Sequence, residues 1–427
     1  MRKSLIITLV ASVYVLLGMT SCNKEMYDEK KYRELIHYNS AVDSVDQQHM
    51  WQLSEVKSLR FEVPSGSKYT QLHFYTGNPL KKDTVELMNR LDVTEGQKGI
   101  LSLSVPYLQD SIYAALVDAS GNYTVTSVPA SQGNVSFASA TTGRPVAIIR
   151  NQSYTYLFEE NFPEPSNDYD YNDVVLRIAL ERTARNQITI HVTLAAVGAA
   201  KQIAGCLRLD GYGYGAIDSV YTISGKTFND GIAKNSYYFY DKTDNLVAGR
   251  NNEAVINLFC DAHQSMMFKV SAGNGILERK KYNVSNQSSE TYQITDEPIV
   301  SYVVTFKEEY VSSLNYFTLD NLDPFILTEY NSGIFETHLE RFKEAQVIMD
   351  YFVDTTFKDL PWALMVPQSD FHYPLEGQSI GYRKRTEDGI VALMGAYTEL
   401  GHSFGEWAED HTRFYDWYLH PNIKMTY

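Results

Sequence analysis

The chain has 427 residues and a formal charge of −15, with 37 Lys plus Arg against 52 Asp plus Glu. That balance excludes a nucleic-acid surface, which needs clustered Lys and Arg against phosphate, and it suits cation binding. The length predicts at least two domains.

The first segment is basic at Arg2 and Lys3 and then apolar from Leu5 to Gly18. Fourteen apolar residues are too few for a bilayer span of about 20, but they fit the h-region of a secretory signal. "MTSC" comes next and resembles a bacterial lipobox, so residues 1–22 read as a lipoprotein signal with Cys22 as the lipidated residue. The alternative is an ordinary signal or anchor with an incidental cysteine. Loss of Arg2 and Lys3 would take the charge from −15 to −17. Residues 23–39 read as a charged tether, and "NKEMYDE" weakly resembles the acidic export signal of surface lipoproteins. The expected location is the outer membrane, lipid-anchored and facing outward, with the membrane as one partner.

Period-two alternation dominates the chain beyond residue 40. Ser58–Pro64, Thr70–Thr76, Gly99–Pro106 and Ser111–Asp118 read as strands, and a hairpin turns at Ser120–Gly121–Asn122. Residues 40–129 therefore form a small β-sandwich in this reading. Residues 130–144, rich in Ser, Thr, Gly and Asn, form a linker or long loop. Residues 145–427 form a larger β-rich domain. Asp173–Arg182 and Gln187–Val197 alternate most cleanly in it, and Phe335–Ile348 fits either a short helix or a strand running into a loop. Phe404, Trp407, Phe414 and Trp417 predict a helix or strap whose rings pack on a sheet. The fold class is all-β, with two sandwich-like domains. Cys206 and Cys260 lie in strand-like runs and read as two separate buried thiols or one disulfide.

"NDYDYNDVVLRI" sets Asp168, Asp170, Asn172 and Asp173 within six residues, where like charges repel unless a cation offsets them. Calcium takes six to eight oxygen ligands, and Asp, Asn and backbone carbonyls supply them. Asp168, Asp170 and Asn172 share the opening spacing of an EF-hand loop. Asp173 stands where that loop needs Gly, Ala179 where it needs Glu, and a strand succeeds it instead of a helix. The segment is thus a calcium-type loop on a β scaffold, with Glu159 and Glu160 upstream to complete the shell. The competing reading is a metal-free corner in which Asp and Asn bond their own backbone.

"YLFEENFPEPSNDYDYNDVVLRI" resembles the opening of the LruC-type domain of secreted and lipid-anchored bacterial proteins, through Phe158, Glu159, Glu160 and then Asp168, Asp170, Asn172 and Asp173. "AVGAA", "NLDPFI", "FETHLE", "LPWALMVPQSDFHYPLEGQSIGYRK" and "FGEWAEDHTRFYDWY" match further family segments in order, across about residues 145–418. The resemblance implies a β-rich domain with no established catalytic activity.

Other candidates are weaker. Glu336 beside His338, and Glu376 in "HYPLEGQ", offer acid–base or ligand groups, though such residues more often hold loops. Tyr212 and Tyr214 read as sugar-stacking rings or as loop anchors. No nucleophile elbow, H-E-x-x-H or P-loop is present. The leading expectation is a cell-surface lipoprotein that acts as a calcium-stabilised binding or adhesion module for a glycan or protein. The alternatives are a structural subunit that pairs by an edge strand and a glycan-active enzyme.

Overall fold

The computed structural model describes residues 45–66, 68–160, 168–198, 201–232, 244–266, 268–271, 277–280, 298–330, 333–345, 360–385 and 391–427. Cys22, the signal segment and the tether lie outside these residues. No helix among the described residues is long and apolar enough to cross a membrane.

The first sandwich uses β1 (Ser54–Glu62), β2 (Tyr69–Tyr75), β3 (Thr84–Asp92), β4 (Lys98–Pro106), β5 (Ser111–Asp118), β6 (Tyr123–Pro129), β7 (Thr141–Gly143) and β8 (Ile148–Asn151). Strands β1 and β4 pair alone, and the rest form a six-stranded sheet in the order β7-β6-β5-β2-β3-β8. Leu59, Phe61, Leu101 and Leu103 from the pair share one core with Leu72, Phe74, Ile112, Ala114 and Leu116 from the sheet. In β5 the alternate residues Ala115 and Val117 face the other way, toward Tyr75 and Val125, as a pleated strand requires. Gly121 turns the β5–β6 hairpin in the left-handed region. Strand β3 has no counterpart in the sequence reading because Asn89 and Arg90 interrupt its alternation; Arg90 instead reaches Glu181 of the second sandwich at 2.8 Å. The stretch read as a linker carries β7, and β8 joins the first sheet beside β3.

The second sandwich begins with β9 (Ser153–Phe158), β10 (Val174–Ala184), β11 (Gln187–Val197), β12 (Ala204–Gly213), β13 (Ile217–Thr222), β14 (Leu246–Ala248) and β15 (Glu253–Phe259). It continues through the short helix α1 (Ala262–Ser265) and the strands β16 (Phe268–Ser271), β17 (Leu277–Lys280), β18 (Ile299–Phe306), β19 (Leu322–Tyr330), β20 (Gly333–Thr337) and β21 (Ala363–Val366). Then come β22 (Tyr382–Arg385), β23 (Val391–Met394) and the helix α2 (Phe404–Glu409). Six strands run in the order β13-β18-β11-β10-β9-β21 and face five in the order β14-β15-β12-β19-β20. Val174, Leu176 and Ile178 of β10 point into the core between the sheets, with Ile190, Tyr302, Leu207, Ile256 and Ile326.

The other face of the six-stranded sheet is also covered. Leu157, Val175 and Leu364 pack against Trp51 and the aromatic C-terminal segment, where Phe404, Trp407 and Trp417 are fully buried. Truncating a buried Trp costs about 3–5 kcal/mol, so this segment is a third layer and not a loose tail. Ser403 and Glu406 close a capping box at the start of α2. The predicted strap is therefore present, with Phe414 only partly buried at its edge. Residues 333–345 resolve the helix-or-strand alternative as strand β20 and then a single 3-10 turn at Glu340–Phe342.

Candidate metal centre

The acidic residues gather where four strands of one sheet end or begin. Strand β9 ends at Phe158, which pairs with Val174 at the start of β10 and with Ala363 at the start of β21. One residue beyond lie Glu159 and Asp173. The Glu159 N–H donates to the Trp362 carbonyl at 2.9 Å, and the Glu160 N–H donates to Asp173 Oδ2 at 2.7 Å. Gly198, just past β11, donates its N–H to the Asp173 carbonyl at 3.0 Å.

Between them the loop takes an unusual path. Tyr169 and Tyr171 have φ of 54° and 53°, a region bulky L-residues avoid at a cost on the order of 1–3 kcal/mol each. Both rings are buried, which holds them there: the Tyr171 hydroxyl donates to the Pro361 carbonyl at 2.6 Å, and the Tyr169 carbonyl accepts from the Ile380 N–H at 2.7 Å. Asp170 and Asn172 instead bond Gly377 and Pro374.

Glu159, Asp168 and Asp170 each offer a carboxylate oxygen, all within 4.8 Å of one another. Glu159 Oε1 accepts from the Tyr171 N–H at 2.5 Å, while its buried Oε2 has no hydrogen-bond partner among the described residues. Asp170 Oδ2 accepts from the Gly377 N–H at 2.6 Å. That contact docks the turn Leu375–Gln378, in which Gly377 sits at φ 69°, a conformation that favours glycine. The turn carries Glu376 to the site. Asn172 Nδ2 donates to the Pro374 carbonyl at 3.1 Å, but the buried Asn172 Oδ1 and Glu376 Oε2 have no partner among the described residues. Those two oxygens lie 2.6 and 3.0 Å from the point where a Gly198 Cβ would stand. The hollow exists because residue 198 has no side chain.

Burial pushes the carboxyls of Glu159, Asp170 and Asp173 well above the usual range, and the Asp168 carboxylate adds repulsion to all three. Asp168 is exposed on one side, yet the atoms packed around its carboxyl raise it as well. Glu376 is raised by burial and then by Asp168. Glu160 points elsewhere, with Lys201 Nζ at 3.2 Å from its Oε2. Of the six residues singled out by sequence, then, three converge as carboxylates, Asn172 adds a free carbonyl oxygen, and Asp173 and Glu160 brace the frame. Glu376 and Gly198 belong with them. The sequence offers Glu376 separately, as an acid–base or ligand group in "HYPLEGQ", but it lies some 200 residues and Gly198 26 residues from Asn172, with nothing local to join either to the acidic loop.

The remaining candidates lie away from this cluster. His338 is buried between Asp323 at 3.0 Å and Glu336 at 3.1 Å, and Asp323 also accepts from Arg208 Nε at 2.8 Å. Burial opposes the charged ring, but the two carboxylates outweigh it and raise its pKa to about 9. Tyr212 is a loop anchor, its ring against Phe306 and its hydroxyl 3.1 Å from Ser313, while Tyr214 is exposed. Cys206 and Cys260 are both buried thiols, and no disulfide joins them. Two cavities, of about 460 and 510 Å³, are lined by Arg90, Arg182 and Glu308 and by Tyr221 and Asp230; neither borders the acidic loop.

The fold and site together define an all-β, double-sandwich protein with an all-oxygen acidic pocket at one sheet end. The chain belongs to the DUF4842 family, a domain of unknown function whose profile matches residues 186–418. Among solved structures it is similar to a Bacteroides ovatus protein described as a candidate lipoprotein, at 15% identity and a TM-score of 0.49, over 84% of this chain and 99% of that one. No curated protein matches the chain.

Proposed function

We propose that this protein is a lipid-anchored surface module that binds calcium at its acidic loop and uses the stiffened sheet end to present a binding or adhesion surface. The observation that carries the calcium reading is the set of unsatisfied oxygens. Glu159 Oε2, Asn172 Oδ1 and Glu376 Oε2 are buried without hydrogen-bond partners among the described residues, beside carboxylate oxygens within 4.8 Å of one another. A buried acceptor left unmade costs about 1–3 kcal/mol, more when charged, and a hard cation satisfies several at once. Donors that are all oxygen select calcium-class ions over zinc-class ones. A metal-free corner would instead spend those oxygens on its own backbone.

The anchor reading rests on the apolar run and "MTSC" ending in Cys22, which support an outer-membrane location facing outward. The ordered motifs of residues 145–418 support an LruC-type domain, within which the family match at 186–418 falls. A glycan-active enzyme would need its carboxylate pair in a substrate cleft, and the cavities of about 460 and 510 Å³ among the described residues are lined by residues away from the acidic loop.

The test is calcium calorimetry on the whole chain in detergent, with melts in calcium and in chelator, repeated on Asp170→Asn and Asp170→Ala. Micromolar-to-millimolar binding of one ion, with a higher melting point that both variants lose, is expected. No heat and no shift in the wild type would overturn the site. A glycan and whole-cell binding screen in calcium and in chelator then tests the module. A ligand retained only in calcium supports it, and none in either condition would favour the structural-subunit alternative.

A further inference from the structure

We propose that His402, Asp416 and His420 form a second metal site, of different chemistry, for a divalent first-row transition ion of the zinc class. It lies in the C-terminal aromatic layer, in residues separate from the acidic loop. One ligand atom from each of the three residues falls within 4.8 Å of the others. The imidazoles of His402 and His420 stack with centroids 4.1 Å apart and planes at 20°, so their edges present nitrogens to the same carboxylate.

The hydrogen bonding is incomplete in a telling way. His402 Nδ1 lies 2.6 Å from Asp416 Oδ2, a normal charge-assisted contact. His420 Nε2 lies 3.6 Å from the same oxygen, too far for a hydrogen bond. The other nitrogen, His420 Nδ1, faces Glu399 Oε2 at 3.3 Å. A carboxylate only accepts, so the tautomer protonated at Nδ1 satisfies Glu399 and leaves Nε2 on the Asp416 side as a metal-ligating atom. A cation between Nε2 and Asp416 would engage both at once. Carboxylate, imidazole and metal in that order is the usual outer support of a histidine ligand, fixing tautomer and ring direction.

The scaffold is preformed. Asp416 and His420 flank the turn Trp417–Leu419, closed by Leu419 N–H to the Asp416 carbonyl at 2.8 Å. His402 is placed by its N–H to the Glu399 carbonyl at 3.0 Å. Trp417 and Phe404, each next to a ligand segment, are fully buried and pack edge to face at 5.1 Å. Two imidazoles and one carboxylate suit zinc, cobalt or nickel and not calcium. The three groups are partly exposed, so water completes the coordination.

The test is zinc calorimetry and cobalt absorption on the whole chain in saturating calcium, for the wild type and for His402→Gln, His420→Gln and the double variant. One ion should bind, with visible cobalt bands, and each single variant should weaken binding at least tenfold while calcium binding is unchanged. Equal zinc affinity in the wild type and the double variant would overturn the proposal. If a variant fails to fold, histidine-labelled wild type decides by NMR. Zinc should shift the His402 and His420 resonances first, and shifts confined to other histidines would overturn it.

Discussion

Among the described residues of the second sandwich, two clusters of carboxylates are buried, and the two are solved differently. Around Asp323 the protein supplies its own cations: Arg208 at 2.8 Å and His338 at 3.0 Å, with Glu336 on the far side of the same imidazole. At the sheet end, Glu159, Asp168, Asp170, Asp173 and Glu376 crowd together, and the cation described there is Lys201, turned to Glu160. The first cluster is closed within the fold. The second, on the reading proposed above, is closed by an ion from outside. Burial alone therefore does not mark a functional carboxylate; the missing partner does.

Breaking the closed cluster should have the largest effect. His338→Leu leaves Asp323 and Glu336 buried with one cation fewer, and removing one partner of a buried pair costs about 3–5 kcal/mol. Urea unfolding should show that loss equally in calcium and in chelator. A loss below about 1 kcal/mol would mean that Arg208 alone holds Asp323. The same ring gives a pH signature of similar origin. Its folded pKa of about 9 lies above the 6.5 of a free histidine, so its stabilisation is complete below pH 6.5 and fades as pH rises through 9. The amount at stake is on the order of 3 kcal/mol. Unfolding free energies at pH 6 and pH 9.5 should differ in that direction in the wild type, and the difference should vanish in His338→Leu.

The two clusters were also unequally legible. Asp168, Asp170, Asn172 and Asp173 announce themselves because they are contiguous, and the clean alternation after them fixes a strand start. The left-handed tyrosines between them do not, since Tyr169 and Tyr171 are held at positive φ by contacts to Ile380 and Pro361 far along the chain. Glu376 reaches the site through the Asp170–Gly377 contact, which spans 207 residues. Short-range pattern carries no information on such a pairing. Likewise the alternation of β10 and β11 is visible because one face of each feeds the core, whereas β3 hides behind Asn89, which bonds Ser102 within the first sandwich, and Arg90, whose guanidinium reaches Arg182 and Glu181 of the second. Glu336 and His338 were visible as a pair, but Asp323 and Arg208, which make that pair structural, sit on other strands.

The smallest expected change in stability tests the open cluster at its floor. Gly198→Ala places a methyl 2.6 Å from Asn172 Oδ1 and 3.0 Å from Glu376 Oε2. The first contact is shorter than a real Cβ shows and the second is tight enough that Glu376 must give, while the backbone carbonyl of Asn172 at 3.2 Å limits retreat. Asn172 is pinned by its bond to Pro374, so the half-buried Glu376 is the group free to move away. Overpacking of this kind costs about 1–3 kcal/mol. The effect on the ion should be the sharper one. A displaced Glu376 and a covered Asn172 Oδ1 remove two of the oxygens, and calcium affinity should fall at least tenfold while the melt in chelator shifts by only a few degrees. Gly198→Ala with unchanged calcium affinity would place the ion on Glu159, Asp168 and Asp170 alone and leave the hollow without a part in it.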